Sequence, residues 1–408
     1  MTSQTQTAAQ VSAEDGARAL LRKCVHCGFC NSVCPTYLEL ADEQNGPRGR
    51  IWQMKSFLAG EPTAAVNLAN LDLCLTCGAC QSACPSGVEY LAAHDMVKPM
   101  MEKQLPRGWR KNIMRRIALA VLPHPKRVRP MIKLAQLFGL QPPVQSMQVQ
   151  TNTAKVAAEN NDDKTARAVL FDGCVQSAAA PGINHHAAKL IQATGIGTLE
   201  ETGFCCGALQ MHLGDEEKGK ARIRNNVDIL HRRLQNGAKW IVSTASGCGR
   251  MVASYGRVLA NESGYAAKAK QVSAAAMDVG VLLAGQSCDN LQPADNIKGD
   301  EGEAVFHCPC TLTHGESAGG GAAVMAVLEK VGVKTTMPPP VCCGSAGFYS
   351  YENPKMAKTL RDKRLAVLQD GNPSAIYTAN IGCQIHLQTG TKTPVRHWLD
   401  LLQVRQTQ

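Results

Sequence analysis

Residues 24–35 read C-V-H-C-G-F-C-N-S-V-C-P, and residues 74–85 read C-L-T-C-G-A-C-Q-S-A-C-P. Both are C-x2-C-x2-C-x3-C-P. Thiolates spaced two residues apart in a tight loop can aim at neighbouring corners of one [4Fe–4S] cubane, whose irons each take one soft sulfur ligand. Where such a run occurs twice, the fourth Cys of each reaches the other cluster. The expected sets are Cys24, Cys27, Cys30 and Cys84 on one cluster, and Cys74, Cys77, Cys80 and Cys34 on the other. Gly28 and Gly78 follow the second Cys of each run, where positive φ would bring backbone N–H groups close to the sulfurs. Pro35 and Pro85 are expected to stop any helix begun by the run. Zinc also uses C-x2-C hooks, but two hooks complete one zinc site and leave the doubled four-Cys run unexplained.

A second constellation is also duplicated. Cys174, the pair Cys205-Cys206 before Gly207, and Cys248 are matched by Cys308, the pair Cys342-Cys343 before Gly344, and Cys383. The intervening stretches are 30 and 41 residues in the first half and 33 and 39 in the second. T-A-S-G-C at 244–248 resembles T-A-N-I-G-C at 378–383. Such a repeat implies two similar units, each offering four thiols to a metal or to redox chemistry. Adjacent cysteines do not readily form an ordinary disulfide with each other. The bland alternative is a set of small buried hydrophobes. Cys310 stands close enough to Cys308 to be a spare ligand, and Cys288 lies outside the repeat.

The elements that must position these thiols differ along the chain. Helices are expected at 16–23, 47–59 and 87–104 around the two runs. Residues 168–174, 239–248, 304–310 and 375–383 read as apolar strands, each ending in a Cys, with helical patterns at 216–235 and 321–332. Open α/β sheets place their sites beyond the carboxyl ends of the strands. The fold class is therefore α+β / α/β: an N-terminal helical two-cluster ferredoxin-type domain, then a duplicated α/β domain. The expected division is 16–100, a basic helix and linker at 101–165, and modules at 166–290 and 300–400.

The net charge of +10 is concentrated. Lys98–Lys133 holds eleven Lys or Arg against one acid, Glu102. Trp109, Ile113, Ile117 and Val121 recur every four residues, with Arg110, Lys111, Arg115 and Arg116 on the flanks. Two uses fit: an amphipathic helix on an anionic membrane, or a stripe packed on the core with a wet basic face. No recognition motif accompanies the charge, so no nucleic-acid partner is expected. No apolar run reaches the roughly 18–20 residues of a membrane span. The opening M-T-S-Q-T-Q-T-A-A-Q has neither a basic start nor an apolar stretch. The expected location is cytoplasmic, including the inner face of the membrane.

The doubled run followed by two C-C-G modules resembles the family of iron–sulfur subunits related to heterodisulfide reductase, which includes those of glycolate oxidase and anaerobic glycerol-3-phosphate dehydrogenase. The stretches C-V-H-C-G-F-C, G-P-R-G-R-I, C-L-T-C, S-G-C-G, F-H-C-P-C-T-L, V-C-C-G-S-A-G and T-A-N-I-G-C-Q are most similar to the glycolate oxidase members, and the likeness covers 20–400. The resemblance implies two [4Fe–4S] clusters and a further iron–sulfur site in the C-C-G domain. It also implies flavoprotein partner subunits that oxidise glycolate to glyoxylate, and electrons passed to a membrane acceptor such as a quinone. Heterodisulfide-reductase modules end in C-x2-C, whereas Met251 and His386 stand three residues after Cys248 and Cys383. Ordinary four-thiolate sites therefore remain, with His386 as a reserve ligand. A thiol–disulfide reductase subunit, the iron–sulfur subunit of a glycerol-3-phosphate dehydrogenase and a soluble two-cluster carrier are the competing readings. No G-x-G-x-x-G follows a strand, and His26, His185, His186 and His314 receive no role, so no catalytic residue is assigned.

Overall fold

A computed structural model describes residues 8–137, 167–295, 304–315 and 319–405. The expected linker at 141–165 lies outside the described residues.

The first region is helical. Helices Ala8–Arg22, Pro47–Leu58, Ala65–Asp72 and Tyr90–Gln104 enclose Leu21, Met54, Leu68, Leu71, Val97 and Met101. The helix expected at 16–23 begins earlier, and Pro47 opens the next at the first turn, where its missing N–H costs nothing. The short helical turns Phe29–Val33 and Ala79–Ser82 do end before Pro35 and Pro85. Pro35 also has a use the sequence reading missed: it starts a new helix, Pro35–Leu40.

The rest is α/β. Strands β1 (Arg167–Phe171), β2 (Gly197–Glu201), β3 (Ala238–Ser243) and β4 (Ala276–Asp278) form a parallel sheet in the order β2-β1-β3-β4. Strands β6 (Ala304–His307), β7 (Thr335–Thr336), β8 (Ile376–Thr378) and β9 (Val395–His397) repeat it as β7-β6-β8-β9. Between them in sequence, β5 (Leu291–Pro293) pairs antiparallel with β10 (Leu402–Val404). The central strands β1, β3, β6 and β8 are largely apolar because helices cover both faces. The two modules share one core, in which Leu170, Leu190 and Val242 meet Phe306, Val324, Tyr377 and Trp398.

The basic helix, Trp109–Val121, leaves its stripe exposed and corrects the reading of Arg115. Its apolar stripe does not pack: Trp109, Ile113 and Ile117 are 67%, 48% and 59% exposed. Arg115, expected on the wet flank, is buried instead. It bonds Glu352 from the second module, Asp72 at 3.2 Å and Glu102 at 3.2 Å. Lys98 and Arg107 complete this ion-pair cluster on Asp72 at 3.2 and 3.0 Å. Burial works against the Asp72 charge, but Lys98, Arg115 and Arg107 outweigh it and hold the carboxyl well below the usual range.

Candidate iron–sulfur centres

The two runs form loops of one design. Gly28 and Gly78 take φ of 88° and 87°, which a side chain would resist, and cap the short helical turn that carries the third Cys. One cavity is lined by Cys24, Cys27, Cys30 and Cys84. A second is lined by Cys34, Cys74 and Cys77. Cys80 lies in the wall of both. The fourth Cys of each run thus faces the cavity of the other.

Donors converge on the sulfurs. Thr76 N–H reaches Cys74 Sγ at 3.4 Å, and Val88 N–H reaches Cys84 Sγ at 3.4 Å. The Tyr90 hydroxyl donates to Cys74 Sγ at 3.5 Å. Burial, and then the neighbouring Cys24, raise Cys30 to about 11. Burial, and then Cys310, raise Cys77 to about 12. Four thiols this close cannot all ionise without a cation among them, so the donor set fits a cationic iron core.

Sequence reasoning missed Arg50, although it sits in the quoted stretch G-P-R-G-R-I. Arg50 is 1% exposed. It donates to Asn70 O at 2.8 Å and Thr36 Oγ1 at 3.0 Å, and its remaining nitrogen faces Cys34 Sγ at 4.0 Å. A buried guanidinium needs a countercharge, and the sulfurs of the second cavity are the ones beside it.

In the modules, Cys248 and Cys383 do not end strands. Strands β3 and β8 stop at Ser243 and Thr378, and each Cys is the third residue of the following helix, Ser246–Ala253 or Ile381–Gln388. A helix N-terminus favours thiolate there. Gly207 and Gly344 take φ of 86° and 87°; at Gly344 a Cβ would lie 2.6 Å from Ala357 O. That close approach turns the Cys pairs inward. Cys174 contacts Cys205, and Cys206 contacts Cys248, so the first set converges.

In the second module the structure gathers Cys342, Cys343, Cys383 and Cys310. Cys342 contacts Cys310, and Cys343 contacts Cys383. Cys308 is turned elsewhere, against Thr313 Oγ1 at 3.4 Å and against Gly321, where a Cβ would meet its sulfur at 2.4 Å. The sheet explains this. Val169 pairs Ile241 and Val305 pairs Ile376, and those isoleucines each stand seven residues before Cys248 and Cys383. Val305 thus repeats Val169, and Cys310 repeats Cys174. His386, the reserve ligand, instead faces Ala357 O at 3.2 Å. His307, which received no attention in the sequence, is fully buried, and one of its ring nitrogens lies within 4.8 Å of the sulfurs of Cys343 and Cys383.

The modules also meet the cluster loops. Arg250 donates to Thr76 O at 3.0 Å, and a ring nitrogen of His314 lies 2.9 Å from Ser82 Oγ. Cys77 stands beside Cys310 and Cys342.

These features define an iron–sulfur protein with a dicluster domain and paired cysteine-rich modules. Residues 20–88 match the 4Fe-4S dicluster domain family, and 168–253 and 304–388 each match the cysteine-rich domain family. The chain is 38% identical to the Escherichia coli glycolate oxidase iron-sulfur subunit over 95% of its own length and 94% of that protein's. It is 26% identical to a probable glycolate oxidase iron-sulfur subunit of Bacillus subtilis over 91% of this chain and 89% of the relative. Lactate utilization protein A of Anoxybacillus flavithermus is 22% identical over 46% of this chain and 75% of its own. The chain belongs to the glycolate oxidase iron-sulfur subunit family.

Proposed function

We propose that this chain is the electron-transfer subunit of a flavin-dependent 2-hydroxy-acid dehydrogenase whose flavoprotein partners oxidise glycolate to glyoxylate. Cys24, Cys27, Cys30 and Cys84 hold one [4Fe–4S] cluster, and Cys74, Cys77, Cys80 and Cys34 hold a second. The thiols of each module hold a further iron–sulfur centre: Cys174, Cys205, Cys206 and Cys248 in one, and Cys342, Cys343 and Cys383 with Cys310 in the other. Clusters of this type accept and release single electrons. The protein sets the positions and the charge balance. Arg50 offsets the negative sulfurs of the second cavity, Tyr90 and backbone N–H groups donate to them, and the module walls exclude water.

The observation that carries this reading is the chain of sulfurs. It runs from exposed Cys27, through the two cavities that share Cys80, to Cys77 beside Cys310 and Cys342. Burial counts against the thiol–disulfide alternative, since Cys205, Cys206, Cys342 and Cys343 are at most 5% exposed and offer a disulfide substrate no approach. The exposed stripe of Trp109, Ile113 and Ile117, with Arg110 stacked over Trp109 at 5.4 Å, is suited to the anionic inner face of a membrane, where a quinone would take the electrons. Among the described residues no helix is long and apolar enough to cross a membrane.

The test is anaerobic co-purification with the flavoprotein subunits, followed by glycolate under paramagnetic resonance. Glycolate should reduce the clusters of the complex and leave those of the isolated chain oxidised. A stable complex whose clusters no 2-hydroxy acid reduces would overturn the reading.

A further inference from the structure

The repeat register aligns not only the cysteines but their surroundings, and among the differences there are two buried positions that face the second set of thiols. His307 repeats Phe171, since each stands three residues before Cys310 or Cys174. Arg364 repeats Val227: a Cβ on Gly207 would meet Ile223 at 3.1 Å and one on Gly344 would meet Leu360 at 3.1 Å, and Val227 and Arg364 each follow those residues by four. Phe171 and Val227 belong to an ordinary apolar core. His307 and Arg364 replace them with a polar pair that is 0% and 3% exposed.

The hydrogen bonds fix this pair's protons. Arg364 gives Nε–H to His307 Nδ1 at 3.0 Å and its terminal nitrogens to Pro339 O at 2.8 Å and Pro338 O at 3.5 Å. A guanidinium has donors only, so Nδ1 must accept and the neutral ring carries its proton on Nε2. His307 Nε2 is buried and has no hydrogen-bond partner among the described residues. The sulfurs of Cys343 and Cys383 lie within 4.8 Å of the ring. Nε2 cannot be a metal ligand while Nδ1 accepts from arginine, because that would require a doubly deprotonated ring. Nor does any carboxylate among the described residues pair with Arg364, so the negative charge it needs lies across the imidazole, on the sulfurs.

We infer that His307, locked by Arg364 with its proton on Nε2, is a positioning residue that donates to the Cys343 sulfur and makes the second-module centre easier to reduce than the first. Hydrogen bonds to ligating sulfur and nearby positive charge both favour the more negative, reduced state. The inference rests on the proposal that the modules hold iron–sulfur centres. Their difference in potential would order the electron's path through two otherwise similar units.

The test replaces His307 with Phe, its counterpart in the first module, and with Gln, which keeps an N–H donor. Potentiometric titration under paramagnetic resonance, with iron content measured beside it, reads the result on the full chain. In His307→Phe the second-module midpoint should fall by at least a tenfold change in its reduction equilibrium, 59 mV for one electron. His307→Gln should recover part of this, and the clusters of the two runs should not move. An unchanged midpoint in His307→Phe, with iron retained, overturns the inference. If the wild type shows no centre in this module, the reading of the modules fails instead. Nitrogen-15 shifts of the labelled imidazole then decide the donor: a proton on Nε2 supports it, and a proton on Nδ1 overturns it.

Discussion

The dicluster domain and the cysteine-rich modules set the same side chain in opposite settings. In the first, thiols sit on glycine-capped loops, Cys27 is exposed, and duplication is resolved by exchange: each run supplies a sulfur to its twin's cavity. In the second, thiols sit at the carboxyl edge of parallel sheets, mostly buried, and each repeat gathers its own set. Exchange binds two loops into one unit. Self-contained sets leave two units free to diverge, as Phe171 and His307 show.

Removing the exchange should have the largest effect. Cys34→Ser should abolish the paramagnetic signal of the cluster built on Cys74, Cys77 and Cys80, with about four of the eight irons of the two runs lost. Loss of the signal from Cys24, Cys27 and Cys30 alone would mean that each run closes on itself. In the modules the damage should stay local. Replacing Cys205 and Cys206 by Ser should remove iron from the first module and leave the second and both run clusters intact, by iron analysis and resonance. Unchanged iron and electron transfer would return these thiols to the role of buried hydrophobes.

The seam between the regions comes next. Asp72→Asn strands Arg115, Arg107 and Lys98 and should cost about 3–5 kcal/mol of unfolding free energy at pH 7. The folded Asp72 titrates below its unfolded value. Its contribution is therefore complete above the ordinary carboxylate pKa and fades as pH falls through the folded value. Denaturant midpoints of wild type and variant should accordingly approach each other in acid; a gap that stays constant down to pH 2 would rule the carboxylate out. The smallest effect concerns the exposed helix. Replacing Arg110, Lys111 and Arg116 by Gln should weaken sedimentation with anionic vesicles by roughly 1 kcal/mol per cation, and high salt should mimic the change. Wild type that ignores such vesicles at low salt would end the membrane reading.

The sequence displayed the chemistry more clearly than the packing around it. The two runs, the C-C-G pairs and the strand–helix alternation were legible because each is a local pattern. Sequence makes Cys310 only a spare ligand because the repeat anchors on the first Cys of C-P-C. The 31 residues between Cys310 and Cys342, against 30 between Cys174 and Cys205, hold the better match. Arg115 was misplaced for a different reason. Helical periodicity reports which side of a helix is polar, but the acids that bury Arg115 stand 13, 43 and 237 residues away along the chain. Arg50 and Arg364 were illegible in the same way, since charges opposite sulfur leave no carboxylate to find.

The crossed placement of Cys34 and Cys84 also sets a schedule for biosynthesis. The cavity begun by Cys24 gains its fourth sulfur only when the ribosome has passed residue 84, and the cavity of the later run depends on a Cys made forty residues before its own first Cys. A nascent chain halted between the runs therefore offers iron-loading machinery only incomplete sites. With the ligand sets proposed above, cofactor insertion into either one would wait for both loops to emerge, so that the pair would mature together.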